Sequence, residues 1–222
     1  MTRVISGWWR WKATPFVIAA GLMANAARAD MLITEGMQPW EICAECHNLD
    51  GISATARFPK LAGQRPAYIV KQIRDFGHGR RRNDGGQMAS IAADIDDKDL
   101  AKAAEYFGAL PAPPPDASLA VQSEEWRRGA AIYREGEAAS GLAQCSACHD
   151  EASGRTDAPF LKAQHAAYLA KQLRDWRSGE RTNDLSQAMP AIAAKLSDPD
   201  IDALATFLAS QPRIRSNRDT AQ

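Results

Sequence analysis

The sequence lacks an excess of positive charge, and this shortage argues against one broad class of function. Its 222 residues contain 27 lysines and arginines and 27 aspartates and glutamates. Proteins that bind nucleic acid concentrate basic residues against the phosphate backbone. The chain also lacks convincing alternating strand patterns, and after residue 29 it has no apolar run long enough to cross a membrane. We therefore expect a helical protein that does not bind nucleic acid.

The first 29 residues have the three parts of a secretion signal. Arg3, Arg10 and Lys12 form a basic start, residues 15–24 form a short apolar core, and residues 27–29 (Ala-Arg-Ala) have the small residues of a cleavage site. We predict that residues 1–29 are a cleaved signal peptide and that the protein is periplasmic. Three tryptophans in the first eleven residues are unusual in a signal, so a retained anchor is the alternative. Without this segment the chain has 23 basic and 27 acidic residues, a net charge of −4.

Cysteine is also scarce, and all four cysteines belong to two copies of one motif. The motif is Cys, two residues, Cys, His, which is the attachment signature of c-type haem. Its two thiols bond the vinyl groups at one edge of the porphyrin, and the adjacent imidazole binds the iron. We therefore predict two covalently bound haem c groups, each attached by two cysteines and ligated by one histidine. The residues are Cys43, Cys46 and His47 in the first copy, and Cys145, Cys148 and His149 in the second.

A zinc site and a redox-active dithiol are the alternative uses of paired cysteines. A structural zinc site needs two pairs close in space, whereas these pairs belong to separate copies of a repeat. A dithiol does not need a histidine after each pair. A secretion signal favours haem further, because this attachment takes place outside the cytoplasm.

The chain contains an internal duplication behind the two motifs. Residues 59–84 align with residues 159–184, and 13 of the 26 aligned positions are identical. A repeat unit of about 80–90 residues has the size of a domain. Between the copies, residues 111–115 contain four prolines, which stop a helix and favour extended backbone. We interpret this proline-rich segment as a short, semi-rigid linker.

We accordingly divide the mature chain into four parts and predict an all-α fold. The first domain covers residues 30–110, the linker 111–120, the second domain 121–213 and a C-terminal tail 214–222.

Apolar residues at helical spacing predict the main helices of each domain. One helix surrounds Tyr68–Phe76 and its counterpart surrounds Tyr168–Trp176. Each domain ends in an amphipathic helix, from about Asp97 to Leu110 in the first and from Ser197 in the second. A further helix is expected before each motif, where a glycine four residues ahead of an aromatic would let another helix cross closely. These pairs are Gly36 with Trp40 and Gly129 with Tyr133.

The second axial ligand of each iron is predicted from the repeat. Met88 and Met189 follow the haem-motif histidines by 41 and 40 residues, and each comes shortly after a repeated Asn-Asp. Methionine most often fills core space, but no other candidate ligand repeats, so we assign both methionines as axial ligands. The spare histidines, His78 and His165, have no histidine at the matching position and are expected at the surface. Histidine–methionine ligation leaves no open site for substrate, so the predicted function is electron transfer.

Other repeated residues are candidates for supporting roles. The carbonyls of Pro59 and Pro159 could accept a hydrogen bond from the second ring nitrogen of the axial histidines. Three repeated polar pairs could bind haem propionates or bridge the domains, with an ordinary solvated helix face as the alternative. They are Tyr68 and Tyr168, Arg74 and Arg174, and Arg81 and Arg181.

Taken together, these residues resemble the dihaem cytochrome c4 family, which has two class I cytochrome c domains in tandem. The resemblance rests on residues 59–64 and 68–75 in the first domain and 164–175, 181–184 and 189–193 in the second. It implies histidine–methionine ligation in both domains, pseudo-twofold packing and haem propionates near the domain interface. It also implies service as a periplasmic electron carrier, often to a haem–copper terminal oxidase.

The sequence departs from the family pattern in three places. Met88 lacks the proline that the family usually has near this methionine, and the second domain has one more residue before Met189. Cys145 follows Tyr133 by twelve positions, whereas Cys43 follows Trp40 by three. The additional loop, residues 135–144, is a candidate haem edge or partner surface.

Three functions compete at this stage. The first is a carrier between a membrane dehydrogenase or quinol-oxidising complex and a terminal oxidase or other acceptor, with association at the membrane surface left open. The second is a dihaem electron-accepting subunit of a dehydrogenase complex, such as a flavocytochrome c sulfide dehydrogenase. The third is a dihaem peroxidase, which the matching methionines disfavour because a peroxidase needs an accessible iron. We therefore expect an electron-transfer protein rather than an enzyme.

Overall fold

The computed structural model describes residues 36–119 and 121–213. We call these ranges the first half and the second half. The predicted signal peptide and C-terminal tail lie outside them. The described residues form α-helices joined by loops, with isolated bridges in place of strands. The helices are α1 Glu41–His47, α2 Pro66–Gly77, α3 Gln87–Asp94, α4 Asp97–Ala109, α5 Glu124–Glu135, α6 Ser146–His149, α7 Ala166–Ser178, α8 Ala188–Ala193 and α9 Asp198–Ala209.

The order of helices repeats, so that α1 to α4 correspond to α6 to α9. None of the helices within the described ranges combines the length and apolar content needed to span a bilayer. Residues 111–116 have no regular secondary structure, as expected for a proline-rich segment. The backbone N–H of Asp116 donates to the carbonyl of Ala209 at 2.9 Å, which ties the end of this segment to the last turn of α9.

In the second half, α5 crosses α9 at close range. Gly129 makes this possible, because a Cβ atom at this position would lie 2.0 Å from the carbonyl oxygen of Ala203. Ile132, Tyr133 and Phe207 are fully buried around the crossing. The close approach predicted for Gly129 is therefore confirmed.

The matching prediction for Gly36 is wrong. Gly36 lies in a turn with φ +94°, and no atom of the described residues lies within 4 Å of a Cβ atom placed on it. The helix that carries the first motif begins only at Glu41. Trp40 instead stacks on Tyr106 of α4, with ring centroids 4.5 Å apart and an interplanar angle of 4°. In the first half, the aromatic residue before the motif therefore packs on the terminal helix α4, and Gly36 takes no part in this contact.

The terminal helices follow the predicted pattern. In α4, Leu100, Ala103, Ala104 and Phe107 are all buried. In α9, Ser197 is the N-cap of a complete capping box with Asp200, which satisfies free backbone donors at the helix start. Both helices therefore begin at the residues predicted from capping and periodicity.

We predict that Gly129→Ala destabilises the protein by about 1–3 kcal/mol, because the added methyl group forces α5 and α9 apart. Gly77→Ala is the matched control, since its Cβ atom would lie 3.3 Å from the Ala92 side chain and would meet backbone atoms of that residue only at 3.6 Å or more. Denaturant unfolding of the haem-loaded protein gives the free energy of unfolding of both variants. Equal stabilities for the two variants would contradict the role given to Gly129.

Candidate haem sites and the interface between them

Each cysteine pair lies on one turn of helix that ends in the motif histidine. Cys43 and Cys46 are on α1, whose last residue is His47. Side chains three and four positions apart share a helix face, so the two thiols and the imidazole belong to one side of the helix. None of the four cysteines forms a disulfide. The second motif repeats this arrangement at α6, with Cys145 as the N-cap and Cys148 and His149 within the helix.

Burial disfavours the ionised form of the first cysteine thiol of each motif. Burial raises the pKa of Cys43 and of Cys145 to about 11. Redox-active dithiols instead contain a cysteine whose pKa is lowered, so these surroundings do not suit dithiol chemistry. Across the described residues, no three His, Cys, Asp or Glu side chains are grouped in a way that would hold a metal ion.

The motif histidines are buried and oriented alike. His47 is 5% exposed and His149 is 8% exposed. The Nδ1 atom of His47 lies 2.8 Å from the carbonyl oxygen of Pro59, and Nδ1 of His149 lies 2.8 Å from that of Pro159. The hydrogen bonds predicted for the two prolines are therefore present.

These surroundings keep each imidazole neutral, with one nitrogen left for another partner. Burial lowers the pKa of both histidines and outweighs the proline hydrogen bond, which raises it. Among the described residues, the hydrogen bonds of each ring involve only Nδ1, which leaves Nε2 as the donor atom toward a metal. A neutral imidazole fixed through Nδ1 is the form that binds metal ions, so both sites fit a haem iron.

Gly51 brings the proline segment back to the first motif. Its φ is +68°, and a Cβ atom here would lie 2.7 Å from the backbone nitrogen of Ala62. Its carbonyl accepts hydrogen bonds from Leu61 and Ala62 at 2.8 and 3.1 Å. Only glycine suits such a turn at this spacing, and the turn places Pro59 beside His47.

Met88 and Met189 occupy the same place in their halves. Each is half-buried and is the second residue of a helix, α3 or α8. The carboxylate of Asp84 accepts the backbone N–H of Met88 at 2.6 Å, and Asp184 accepts that of Met189 at 2.7 Å. The aspartate of the repeated Asn-Asp therefore fixes the start of each methionine helix, a role that the sequence signalled by repetition but did not explain.

The additional residue before Met189 is absorbed at the helix start. Gly86 precedes α3 with φ 89°, and Gln187 precedes α8 with φ 57°. Both conformations are left-handed, which glycine adopts freely and glutamine adopts at some cost. The longer loop of the second half thus delivers its methionine with the same backbone turn and the same aspartate contact.

Two glutamine side chains pair with backbone across the boundary between the halves. Gln64 donates to the carbonyl of Phe160 at 3.0 Å and accepts the N–H of the same residue at 2.9 Å. Gln164 forms the equivalent pair with Lys60, with both distances 2.9 Å. The contacts are related by the repeat, so the halves face each other with pseudo-twofold symmetry.

A second glutamine pair lies at the centre of the boundary. Gln72 Oε1 accepts hydrogen bonds from Arg81 at 3.0 Å, from Arg181 at 3.0 Å and from Asn183 at 2.9 Å. One oxygen thus gathers donors from both halves. Gln172 Oε1 does the same for Arg181, Arg81 and Asn83, at 2.9, 2.9 and 3.0 Å.

Arg81 and Arg181 are two buried cations whose hydrogen bonds, among the described residues, go only to neutral acceptors. Each is 6% exposed, and their backbones form an isolated antiparallel bridge. Besides amide oxygens, Arg81 bonds the hydroxyl of Tyr168 at 3.1 Å, and Arg181 bonds that of Tyr68 at 3.2 Å. Burial alone would raise the pKa of Tyr68, but the charges of Arg181 and Arg81 outweigh it and lower the pKa.

This arrangement decides the role of the repeated polar residues. Tyr68, Tyr168, Arg81 and Arg181 bridge the halves, which was one of the two predicted roles. Arg74 and Arg174 do not. Arg74 pairs with Asp97 at 2.9 Å, and Arg174 pairs with Asp198 and Asp202, so both connect exposed helices within one half.

In the described part of the chain the hydrogen bonds of the two central guanidiniums, those of Arg81 and Arg181, include no carboxylate. This setting suits anionic groups such as haem propionates.

The surface position expected for His165 is wrong, whereas His78 is exposed as predicted. His165 is half-buried, and its Nε2 atom lies 3.0 Å from both the carbonyl and the hydroxyl oxygen of Ser53 in the other half. Its repeat partner Arg65 also crosses the boundary, and donates to the carbonyl of Ala158 at 2.6 Å. A repeat aligns positions within a domain but does not show which positions meet between domains, so sequence alone missed both residues.

Comparisons with known proteins agree with this arrangement. Residues 124–208 match a family model described as cytochrome C oxidase, cbb3-type, subunit III. The chain is 38% identical over 173 residues to cytochrome c4 of Pseudomonas aeruginosa, which covers 75% of this chain and 82% of that protein. It is 36% identical over 195 residues to the thiosulfate dehydrogenase electron acceptor of Stutzerimonas stutzeri, which covers 85% of this chain and 88% of that protein.

A solved structure shows the same fold. The crystal structure of reduced recombinant cytochrome c4 from Pseudomonas stutzeri superposes with a TM-score of 0.65 at 34% identity, covering 76% of this chain and 93% of that one. The two halves are therefore class I cytochrome c domains in tandem. With two haem-attachment motifs, this fold and these identities, the chain belongs to the cytochrome c4 family and binds two haem c groups covalently.

Proposed function

We propose that this dihaem cytochrome is a diffusing periplasmic electron carrier, which takes electrons from a membrane dehydrogenase or quinol-oxidising complex and passes them toward a terminal oxidase. The observation that carries the proposal is the matched pair of histidine sites. Both imidazoles are buried, neutral and fixed to a proline carbonyl at 2.8 Å. Such sites hold an iron ligand rigidly, and rigid ligation favours fast one-electron exchange over substrate chemistry.

In this proposal His47 and Met88 are the axial ligands in the first domain, and His149 and Met189 those in the second. The four motif cysteines form the thioethers. When bound, haem supplies a one-electron couple with both axial positions filled. The aspartate contacts at Met88 and Met189 support the assignment, because they fix both methionine helices in the same way. Filled axial positions leave no place for peroxide, so the protein has no catalytic activity of its own.

We propose that the haem propionates pair with the two central guanidiniums, those of Arg81 and Arg181. Arg81 and Arg181 use four of their five N–H donors each on neutral oxygens. Buried cations are stabilised by paired anions. Propionates from both haems would supply them at the domain boundary, which would bring the haem edges toward each other and permit exchange between them.

A dedicated dehydrogenase subunit is the second candidate function. It is supported by the 36% identity, over 85% of this chain, to a protein whose name is thiosulfate dehydrogenase electron acceptor. The two candidates differ in what the protein is bound to, since a carrier dissociates from its donor after each electron.

The ligand assignment predicts the spectrum of two variants. Met88→Ala and Met189→Ala should each remove about half of the weak red absorption band of methionine-ligated ferric haem, and should lower the potential of one haem, because loss of methionine destabilises the ferrous state. Met37→Ala is the control, since this half-buried methionine has no counterpart in the second half. A full-strength band in either ligand variant would show that the assignment is wrong.

The carrier proposal predicts the size of the native protein. In gel filtration of a native periplasmic extract, haem absorbance should elute near the volume of a single chain, whose full sequence has a mass of 24.2 kDa, because a carrier is not stably bound to its partners. Elution in a larger complex with a flavin-containing or other dehydrogenase subunit would favour the second candidate instead.

A further inference from the structure

Arg65 and His165 occupy the same position of the repeat but differ in charge. From the first half, Arg65 donates to the carbonyls of Ala158 at 2.6 Å and Asp150 at 3.1 Å. Asp150 directly follows His149, and Ala158 directly precedes Pro159, whose carbonyl holds the ring of His149. The guanidinium therefore contacts both ends of the loop that positions the histidine of the opposite domain.

His165 makes the corresponding contact in the other direction, but through an intermediate. Its Nε2 atom lies 3.0 Å from the Ser53 hydroxyl, and this hydroxyl donates to the carbonyl of Phe58 at 2.6 Å. Phe58 precedes Pro59 as Ala158 precedes Pro159. The carbonyls of Ala158 and Phe58 are thus equivalent in the repeat. Arg65 bonds the first directly, whereas His165 reaches the second through the Ser53 hydroxyl.

The hydrogen bonds of the two axial histidines do not distinguish the halves. Both Nδ1-to-carbonyl distances are 2.8 Å, so the electron density that this contact pushes onto each imidazole is equal. The charged groups around the two loops are a separate source of difference between the sites.

The charges around the two loops differ. Asp150 and Glu151 follow His149, where the first half has the uncharged Asn48 and Leu49. Lys162 pairs with both carboxylates at 3.2 Å. Arg155 and Asp157 of the same loop pair with each other at 2.6 Å. One lysine therefore faces two carboxylates, and Arg65 is the cation that the first half adds to this loop.

Around His165 the charges are already balanced. Lys60 and Asp116 are the charged groups that face it. Burial, followed by the charge of Lys60, lowers the pKa of His165, and the carbonyl of Ser53 and the charge of Asp116 do not reverse this. His165 is therefore neutral at neutral pH and brings no charge to the first-domain site.

We propose that Arg65 raises the reduction potential of the second-domain haem from across the domain boundary, and that His165 supplies no such charge to the first-domain haem. The proposal rests on His47 and His149 as the axial ligands assigned above. Oxidation adds one positive charge to a haem, so a nearby guanidinium disfavours the ferric state and raises the potential. Arg65 is a positioning residue that acts through the loop and its field, and does not contact the iron.

An exchange of the two residues tests this proposal. Arg65→His should lower the potential of the second-domain haem and leave that of the first within error. His165→Arg should raise the potential of the first-domain haem alone. In molecules that hold one electron, each change should move the ratio of the two singly reduced forms toward the first domain, on the order of three- to tenfold, the size expected of one partly buried charge.

The measurement is a spectroelectrochemical titration of the full-length, haem-loaded protein, with each wave assigned from the Met88 and Met189 variants. Arg65→Lys separates charge from shape. It keeps the charge without the planar fork, so it should retain most of the second-domain potential, and Arg65→Gln should behave like Arg65→His.

Three results would overturn the proposal: an unchanged second-domain potential in Arg65→His, an equal shift of both haems, or a lysine variant that behaves like the glutamine variant. His165→Arg keeps the test open if the Arg65 variants fold poorly, because it adds a charge at the other site. Failure of the proposed function would look different. A missing haem, or a missing methionine band in the unaltered protein, would show that the ligands themselves are wrong.

Discussion

The boundary between the two domains depends on a shared network, in which buried polar groups of each half need partners from the opposite half as well as from their own. Arg81 and Arg181 meet there, and their hydrogen bonds within the described residues go to no carboxylate. Gln72 and Gln172 each accept three hydrogen bonds, two from these arginines and one from an asparagine. Leaving one such group unsatisfied costs about 1–3 kcal/mol, and more when it is charged. Neither half can satisfy this set alone, so the domains are held in one relative position, and the loops at the haem sites are fixed with them.

The geometry of the haem sites is set by contacts across this boundary and by the aspartates that fix the start of the methionine helices. The loops that end at Pro59 and Pro159 are contacted from the opposite domain and in turn orient the axial histidines. Asp84 and Asp184 set the methionine helices from within each domain. If these histidines and methionines hold the iron as proposed, both sides of the site are fixed by hydrogen bonds, which would favour a small structural change on oxidation, as an electron-transfer site needs.

Much of this could be predicted from the sequence, because the motif and the repeat are strong local signals. The helices of residues 97–110 and those after Ser197 followed from capping and periodicity, and the proline carbonyls followed from their place in both copies. Gly36 was misread because a glycine before an aromatic predicts a helix crossing only if a helix is present there. His165 was misread because its contact, Ser53, is 112 residues away, and nothing in a single chain marks which polar residues meet across domains.

The self-complementary boundary also accounts for where the two copies have stayed alike. In an isologous contact, if residue i of one half bonds residue j of the other, then residue j of the first half also bonds residue i of the second. Each contact is therefore made twice, and a change at one position breaks one of the two copies. Of the 13 identical positions, seven bond across the boundary: Gln64, Tyr68, Lys71, Gln72, Asp75, Arg81 and Asn83. After the duplication these positions could not drift independently. At Arg65 and His165, by contrast, an exchange on one side leaves the opposite contact standing, so the two domains can carry different charges here and, under the proposal above, form two unequal ends.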